Sequence, residues 1–311
     1  MTDVKRPALE GTVAVRDNRR LSFAEYGTPR GEAIVWLHGT PGARRQIPFE
    51  ARAYAEAHGL RIVGIDRPGI GSSTPHLYDD ILDWADDLRM LLDVLAIDTV
   101  RVIGLSGGGP YALAAGAALA DRVIGVGVLG GVAPTRGPDA AGGGIIQLAV
   151  RLAPALAALR VPLGVGLTGA IRVVKPLAGR GLDLYAAVQP AGDKNLLARP
   201  EFKAMFLDDL LNGSRFQMLA PLNDLVLFTR EWGFSPADVT VPVIWWHGDA
   251  DHIVPFAHGQ HVVDRLPDAE LRVIDGESHL GGLGIAEEVI VSLMKLEGAM
   301  TAGAMAPHAS Q

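Results

Sequence analysis

The chain has 311 residues, about half of them hydrophobic, with 28 basic and 35 acidic side chains and a net charge of −7. That is enough apolar material for one large or two modest domains, and the acidic balance points away from nucleic acid as a partner. There is no cysteine, which excludes disulfides, thiolate metal sites and a cysteine nucleophile and fits a reducing compartment. The N-terminal stretch MTDVKRPALEG lacks the apolar core of a signal peptide, so a cytoplasmic location is the expectation. The uncharged stretch Val102–Ala120 has the length of a membrane span, but its glycines and proline divide it into strand, turn and helix.

In chain order, Thr12–Asp17 and Arg20–Gly27 read as a hairpin turning at Asn18-Arg19. Ala33–Gly39 is a nearly continuous apolar run, the pattern of a strand buried on both faces. A helix over Arg45–His58 leads to a strand at Arg61–Asp66. Asp79–Leu95 reads as an amphipathic helix with Asp79, Asp80 and Asp83 in its first turn, where carboxylates suit the helix dipole. A strand ending at Leu105, a helix over Gly108–Leu119 and a strand at Arg122–Gly131 follow. Ala133–Phe234 shows no clear strand and reads as several helices. Strands resume at Thr240–Gly248 and Glu270–Asp275, each followed by a helix, Phe256–Leu266 and Ile285–Leu296.

Alternating strands and helices predict an α/β fold: a mostly parallel sheet flanked by helices, with a helical cap inserted after the sixth strand. The expected organisation is a core over 1–132 and 236–298, a cap over 133–235 and a flexible tail over 299–311. Active sites of such sheets lie beyond the carboxyl ends of the strands, where the cap would roof the site.

The chemistry is concentrated in VIGLSGGGP. Ser106, between Gly104, Gly107 and Gly108, sits where a strand turns sharply into a helix. Small neighbours two residues before and two after let the backbone turn and present the hydroxyl, and the helix N-terminus favours a developing oxyanion. The competing phosphate-loop reading lacks the Lys-Ser/Thr ending and the acidic residue of a dinucleotide fold. A serine nucleophile needs a base and an orienting carboxylate later in the chain. Of nine histidines, His279 lies on a loop after a strand at the correct sheet edge. His247 lies inside a strand run, and His258 and His261 on a helix, where a solvated face is the expectation rather than a metal pair. For the acid, Asp251 lies further out on the loop after Gly248, whereas Asp249 is placed to tie the turn down. The oxyanion donors are the amides of Gly107 and Thr40, with His38 structural and both His38 and Gly39 bordering the substrate pocket.

Five motifs in order carry a resemblance: HGTPG at His38–Gly42, DRPGIGSS at Asp66–Ser73, GLSGG at Gly104–Gly108, GDADHIVP at Gly248–Pro255 and the pair Ser278-His279. Together they resemble the α/β-hydrolase superfamily over about residues 11–131 and 236–296, and the family pattern also puts the acid at Asp251. The resemblance reads Asp66–Ser73 as a structural turn beside the site. Epoxide hydrolases share the His-Gly-x-Pro motif but carry aspartate at the elbow and two cap tyrosines, where this cap has only Tyr185. HGTPG is also similar to the HGGPG of proline iminopeptidases, which hold a substrate amine on cap acids. Glu201, Asp208 and Asp209 read instead as solvated helix faces.

The first half of the cap is apolar, but its uncharged runs, Ala140–Val150 and Val161–Ile171, have 11 residues each, too short to span a bilayer of roughly 30 Å. They read as helices packed on the core or as a lid over an apolar pocket, with transient lipid contact as the sharper version. Phe202, Met205 and Phe206 are expected to point into that pocket. The expectation is a serine hydrolase cleaving a small or medium apolar carboxylic ester, without cofactor or metal. A thioesterase, C–C hydrolase, amidase or iminopeptidase and perhydrolase are alternatives on the same triad, and a non-catalytic ligand-binding receptor is the rival from another class. No sequence feature sets the oligomeric state.

Overall fold

A computed structural model describes residues 5–143 and 146–296. The expected tail over 299–311, and His308 within it, lie outside the described residues. Eight strands form one sheet: β1 (Leu9–Val15), β2 (Arg19–Gly27), β3 (Ala33–Leu37), β4 (Arg61–Ile65), β5 (Val100–Leu105), β6 (Val123–Leu129), β7 (Val243–Gly248) and β8 (Ala269–Ile274). Their order is β1-β2-β4-β3-β5-β6-β7-β8. The β1–β2 and β2–β4 pairs are antiparallel and all later pairs parallel. β3, β4, β5 and β7 are buried at every position, because helices cover both faces, and this is why their sequences run apolar without alternation.

Helices α1 (Phe49–Ala57), α2 (Trp84–Val94), α3 (Gly109–Ala118), α9 (Phe256–Val263), the single turn α10 (Gly281–Gly284) and α11 (Ala286–Met294) flank the sheet. Between β6 and β7 the chain makes α4 (Ile146–Val174), α5 (Ala178–Ala187), α6 (Ala191–Ala198), α7 (Pro200–Gly213) and α8 (Ala220–Phe228). The helical cap is therefore inserted where expected, at the carboxyl edge of the sheet. The core divides across the sheet. On one side α2 and α3 bury Trp84, Leu88, Leu91 and Tyr111 against Val35, Val102 and Val128. On the other, α1 and α11 bury Ala51, Ala55, Val289 and Leu293 against Ile34, Ile62 and Ile103.

Three boundaries differ from the sequence reading, each for a local reason. The hairpin turns one residue earlier, with Asp17 and Asn18 in left-handed backbone at φ 57° and 56° and Arg19 already in β2; Asp and Asn tolerate that conformation better than Arg. α1 begins at Phe49 rather than Arg45 because Pro48 occupies its N-cap, and a residue before proline disfavours helix. α2 begins at Trp84, so Asp79, Asp80 and Asp83 are not in its first turn. Two of the carboxylates close the preceding turn instead, Asp80 accepting from the Asp83 amide at 3.1 Å and Asp83 from the Asp79 amide at 3.1 Å.

The largest departure is in the cap. The two uncharged runs do not form separate short helices. Residues 146–174 are one helix of 29 residues despite Pro154 and Pro162, about 43 Å long at 1.5 Å per residue. Among the described residues, the stretch Leu148–Ala187 is long and apolar enough to cross a membrane by length and composition, and little of its most apolar part is buried.

Candidate active site

β5 delivers Ser106 at the carboxyl edge of the sheet, in the tight turn Ser106–Gly108 that feeds α3. The serine sits at φ 51°, a conformation that costs a non-glycine residue of order 1–3 kcal/mol and persists only when its surroundings enforce it. They do so through glycine. A Cβ on Gly104 would lie 2.4 Å from the Gly108 carbonyl oxygen, and one on Gly108 would lie 2.5 Å from that of Leu37. The turn closes only because both positions are bare.

The loop after β8 brings His279 against the serine, with Nε2 2.8 Å from Ser106 Oγ. On its other side Nδ1 is 2.7 Å from Asp251 Oδ2, on the loop after β7. An ionised carboxylate only accepts, so Nδ1 carries the proton and Nε2 is left to accept from the serine hydroxyl. Ser106, His279 and Asp251 are thus brought into one hydrogen-bonded chain from three loops. Asp249 does the other job foreseen for it, accepting from the Gly276 amide at 2.7 Å.

Asp251 is held by more than the base. Oδ1 accepts from the amides of Ile253 and Val254 at 2.8 and 2.9 Å. Oδ2 lies 3.3 Å from His247 Nε2. His247 Nδ1 accepts from the Trp245 indole at 3.1 Å, so its Nε2 carries the proton and faces both Asp251 and the Val254 carbonyl, 2.9 Å away. Burial by itself would raise the Asp251 pKa, but the bonds from His247 and His279, then the charge of His279 and the Val254 amide, hold it well below the usual carboxylate range. His247, passed over in the sequence as a strand residue, is therefore part of the site's support; its position four residues before the acid was the only signal.

The loop after β3 carries Thr40 over the elbow. A Cβ on Gly107 would lie 2.3 Å from Thr40 Oγ1, so these two residues are in direct apposition. Beneath the loop lies a buried polar network that the sequence did not reveal. Arg67 donates to the carbonyls of His38 and Gly39 at 2.6 and 2.9 Å and to Thr40 Oγ1 at 2.9 Å. It also pairs with Asp224 of α8 at 2.8 Å. Asp224 in turn accepts from the hydroxyls of Thr40 at 2.6 Å and Tyr111 at 2.8 Å. A cap residue thus fixes the core loop that faces the serine. Asp193 of α6 makes a second such link, accepting from the Leu280 amide at 2.9 Å, next to the histidine.

A cavity of about 410 Å³ opens onto Ser106 and His279. Gly39 and Thr40 border it, as do Ile171, Val174, Leu182 and Tyr185 from α4 and α5, and Phe206 and Leu210 from α7. Of the three α7 residues expected there, Phe206 faces the cavity. Phe202 and Met205 do not: both are buried against the α1 and α11 side of the core. His38 also stays out of the cavity. Its Nε2 accepts from the Arg67 amide at 3.3 Å, its Nδ1 faces the Gly39 carbonyl at 2.7 Å, and burial, then the Arg67 charge, lower its pKa.

Other sequence expectations resolve similarly. Asp66 is buried and accepts from Ser22 Oγ at 2.7 Å and the Arg44 amide at 2.6 Å, a turn-forming position. His258 is buried rather than solvated. His258 and His261 lie 3.2 and 2.9 Å from the carbonyls of Gly142 and Asp139, tying down the chain that enters the cap. Glu201 pairs with Arg199 at 2.8 Å and Asp208 with Arg45 at 3.1 Å, but Asp209 is not on a solvated face. It is 3% exposed, borders the cavity and accepts from the amides of Ala43 and Arg45 at 2.8 and 3.0 Å.

Burial, with the charge of Asp66 second, raises Asp209 from 3.8 to about 7. Its folded form therefore binds the proton more tightly than its unfolded form. The contribution of this group to stability is greatest below pH 4 and falls as pH rises to about 7, by up to about 4 kcal/mol. Urea denaturation across that window is expected to show the decline, and Asp209→Asn to flatten it. An unchanged slope in the variant would remove Asp209 as its source.

An α/β-hydrolase fold whose elbow serine is hydrogen-bonded through histidine to aspartate defines a serine hydrolase. The family described as Serine aminopeptidase, S33, matches residues 32–280, and the chain belongs to it. It is 36% identical over 111 residues to the proline iminopeptidase of Xanthomonas citri, covering 35% of each chain. It is 32% identical over 135 residues to that of Neisseria gonorrhoeae, covering 42% of this chain and 43% of the relative. The matched segment spans between a third and a half of these curated relatives. Among solved structures, the fold is similar to a thermophilic esterase from Thermogutta terrifontis (TM-score 0.65, 19% identity, 93% of this chain and 100% of that one). It is also similar to the enol-lactonase from Burkholderia xenovorans (TM-score 0.66, 19% identity, 91% and 99%).

Proposed function

We propose that this hydrolase cleaves a small or medium apolar carboxylic ester through an acyl-enzyme. Ser106 Oγ attacks the carbonyl carbon as His279 Nε2 takes its proton, and Asp251 steadies the imidazolium. The amides of Thr40 and Gly107 receive the oxyanion, and His279 returns the proton to the departing alkoxide. Water, deprotonated by the same histidine, releases the acid. The observation that carries the ester reading is the aliphatic and aromatic lining of the cavity, drawn from α4, α5 and α7.

A second reading has its own support: removal of an N-terminal proline from a peptide. The family match and the curated relatives named above favour it over an ester. So does Asp209, the acidic residue bordering the cavity. A protonated substrate amine needs an ionised partner, and Asp209 ionises only near neutrality. Cleavage of a prolyl anilide would therefore climb with pH through about 7 and collapse in Asp209→Asn, whereas a neutral butyrate ester makes no such demand.

The deciding experiment measures both substrates with one preparation, after a fluorophosphonate probe has located its adduct by mass spectrometry. Adduct on Ser106 and turnover of butyrate ester well above prolyl anilide supports the ester reading. The reverse preference, lost in Asp209→Asn, replaces it with the iminopeptidase reading. No adduct on folded protein overturns both in favour of a binding role. Removing the cap is a poor control, because α8 supplies Asp224 to the loop over the serine.

A further inference from the structure

The outward side of the cap is unlike the rest of the molecule. Leu148, Leu152, Leu159 and Leu163 recur at i, i+4, i+11 and i+15, which places them on one face of α4. All four are exposed, and in the next segment Leu184 and Val188 are 71% and 76% exposed. Monomeric soluble proteins seldom leave a contiguous apolar surface of this kind in water.

Charge complementarity says what covers it. Residues 146–190 carry five cations, Arg151, Arg160, Arg172, Lys175 and Arg180, against one acid, Asp183, in a chain whose net charge is −7. Arg151, Lys175 and Arg180 are exposed and form no ion pair among the described residues. Exposed apolar side chains and exposed cations in one segment match an anionic bilayer surface, where leucines enter the acyl boundary and the cations stay among the headgroups. A symmetric contact with a second copy would set these like charges against each other.

The geometry points to the α4–α5 arm as a docking surface for anionic lipid membranes. It lies on the surface rather than crossing it. The inward side of α4 is committed to the protein: Thr168 Oγ1 accepts from the Met218 amide at 3.0 Å, and Gly164 packs on Leu219. Ile171, Val174 and Leu182 of the same arm border the cavity, so docking places on the lipid the arm that walls the Ser106 pocket. The inference concerns binding alone and holds whichever bond the enzyme cleaves.

The test is co-sedimentation of the full chain with vesicles of phosphatidylcholine, alone or mixed with phosphatidylglycerol. The protein is expected to pellet with the mixed vesicles, weakly with the neutral ones, and to be released by added salt. Arg151→Gln, Lys175→Gln and Arg180→Gln each lower the partition constant about fivefold. The triple variant Leu152→Ser, Leu159→Ser, Leu163→Ser loses binding while melting temperature and hydrolysis of a water-soluble ester stay at native values. Absence of the protein from the anionic pellet overturns the inference, as does equal binding by the triple variant. Concentration-dependent dimers that this variant abolishes would assign the surface to self-association instead. Ser106→Ala protein, inert toward any ester, is expected to pellet like the native chain, which separates failure of docking from failure of the hydrolytic reading.

Discussion

His279→Ala is expected to lower kcat/KM for the best acyl substrate by about six orders of magnitude, with Ser106→Ala losing as much and the double variant losing no more. The geometry requires this non-additivity. Without the imidazole 2.8 Å away, the hydroxyl has no acceptor for its proton; without the hydroxyl, the imidazole has nothing to activate. The fold should survive either change. Asp251 keeps the amides of Ile253 and Val254 and the His247 ring as donors after His279 is gone, so no bare charge is buried. Matched melting curves alongside steady-state kinetics check the claim. Losses that multiply in the double variant would show that the two residues do not act as one unit.

Arg67→Ala is expected to be the most destabilising single change at the site. Arg67 and Asp224 are 1% and 3% exposed, and breaking a buried pair by removing one partner costs about 3–5 kcal/mol. The carbonyls of His38 and Gly39 lose their donor as well. Thr40 then loses one of its two side-chain hydrogen bonds, and if its amide receives the oxyanion, kcat falls by about 10²–10³. Adding Asp224→Leu to Arg67→Met removes the stranded charge, so denaturant unfolding should show the double variant more stable than Arg67→Met alone, while kcat stays low. Recovery of kcat together with stability would mean that the network supports the fold and not the loop.

The triad was legible in the sequence because each member is announced locally. Ser106 stands in a glycine-flanked turn after an apolar strand, and His279 and Asp251 on loops after strands that end at the same edge. The parallel sheet was legible for a related reason, since strands buried on both faces cannot alternate. What escaped depends on the phase of one element against another. The apolar residues of α7 gave no sign that Phe202 and Met205 turn toward the core while Phe206 turns to the cavity. Asp209 reads like its neighbour Asp208 until burial separates them. Arg67 and Asp224 stand 157 residues apart, with no spacing rule to join them. The continuity of α4 was obscured by two prolines and by Arg151 and Arg160, which interrupt the hydropathy of the chain without interrupting the helix.

The order of these parts along the chain has a consequence for synthesis. A ribosome completes the elbow serine and the loop that faces it first, the cap carboxylate that braces that loop about a hundred residues later, and the base later still. A nascent or prematurely terminated chain therefore exposes a serine that no imidazole can activate. Reactivity arrives in a single late event, when the strand before His279 docks at the edge of the sheet, and a cut in the chain between Gly213 and that strand that released the C-terminal piece would part the serine from its base.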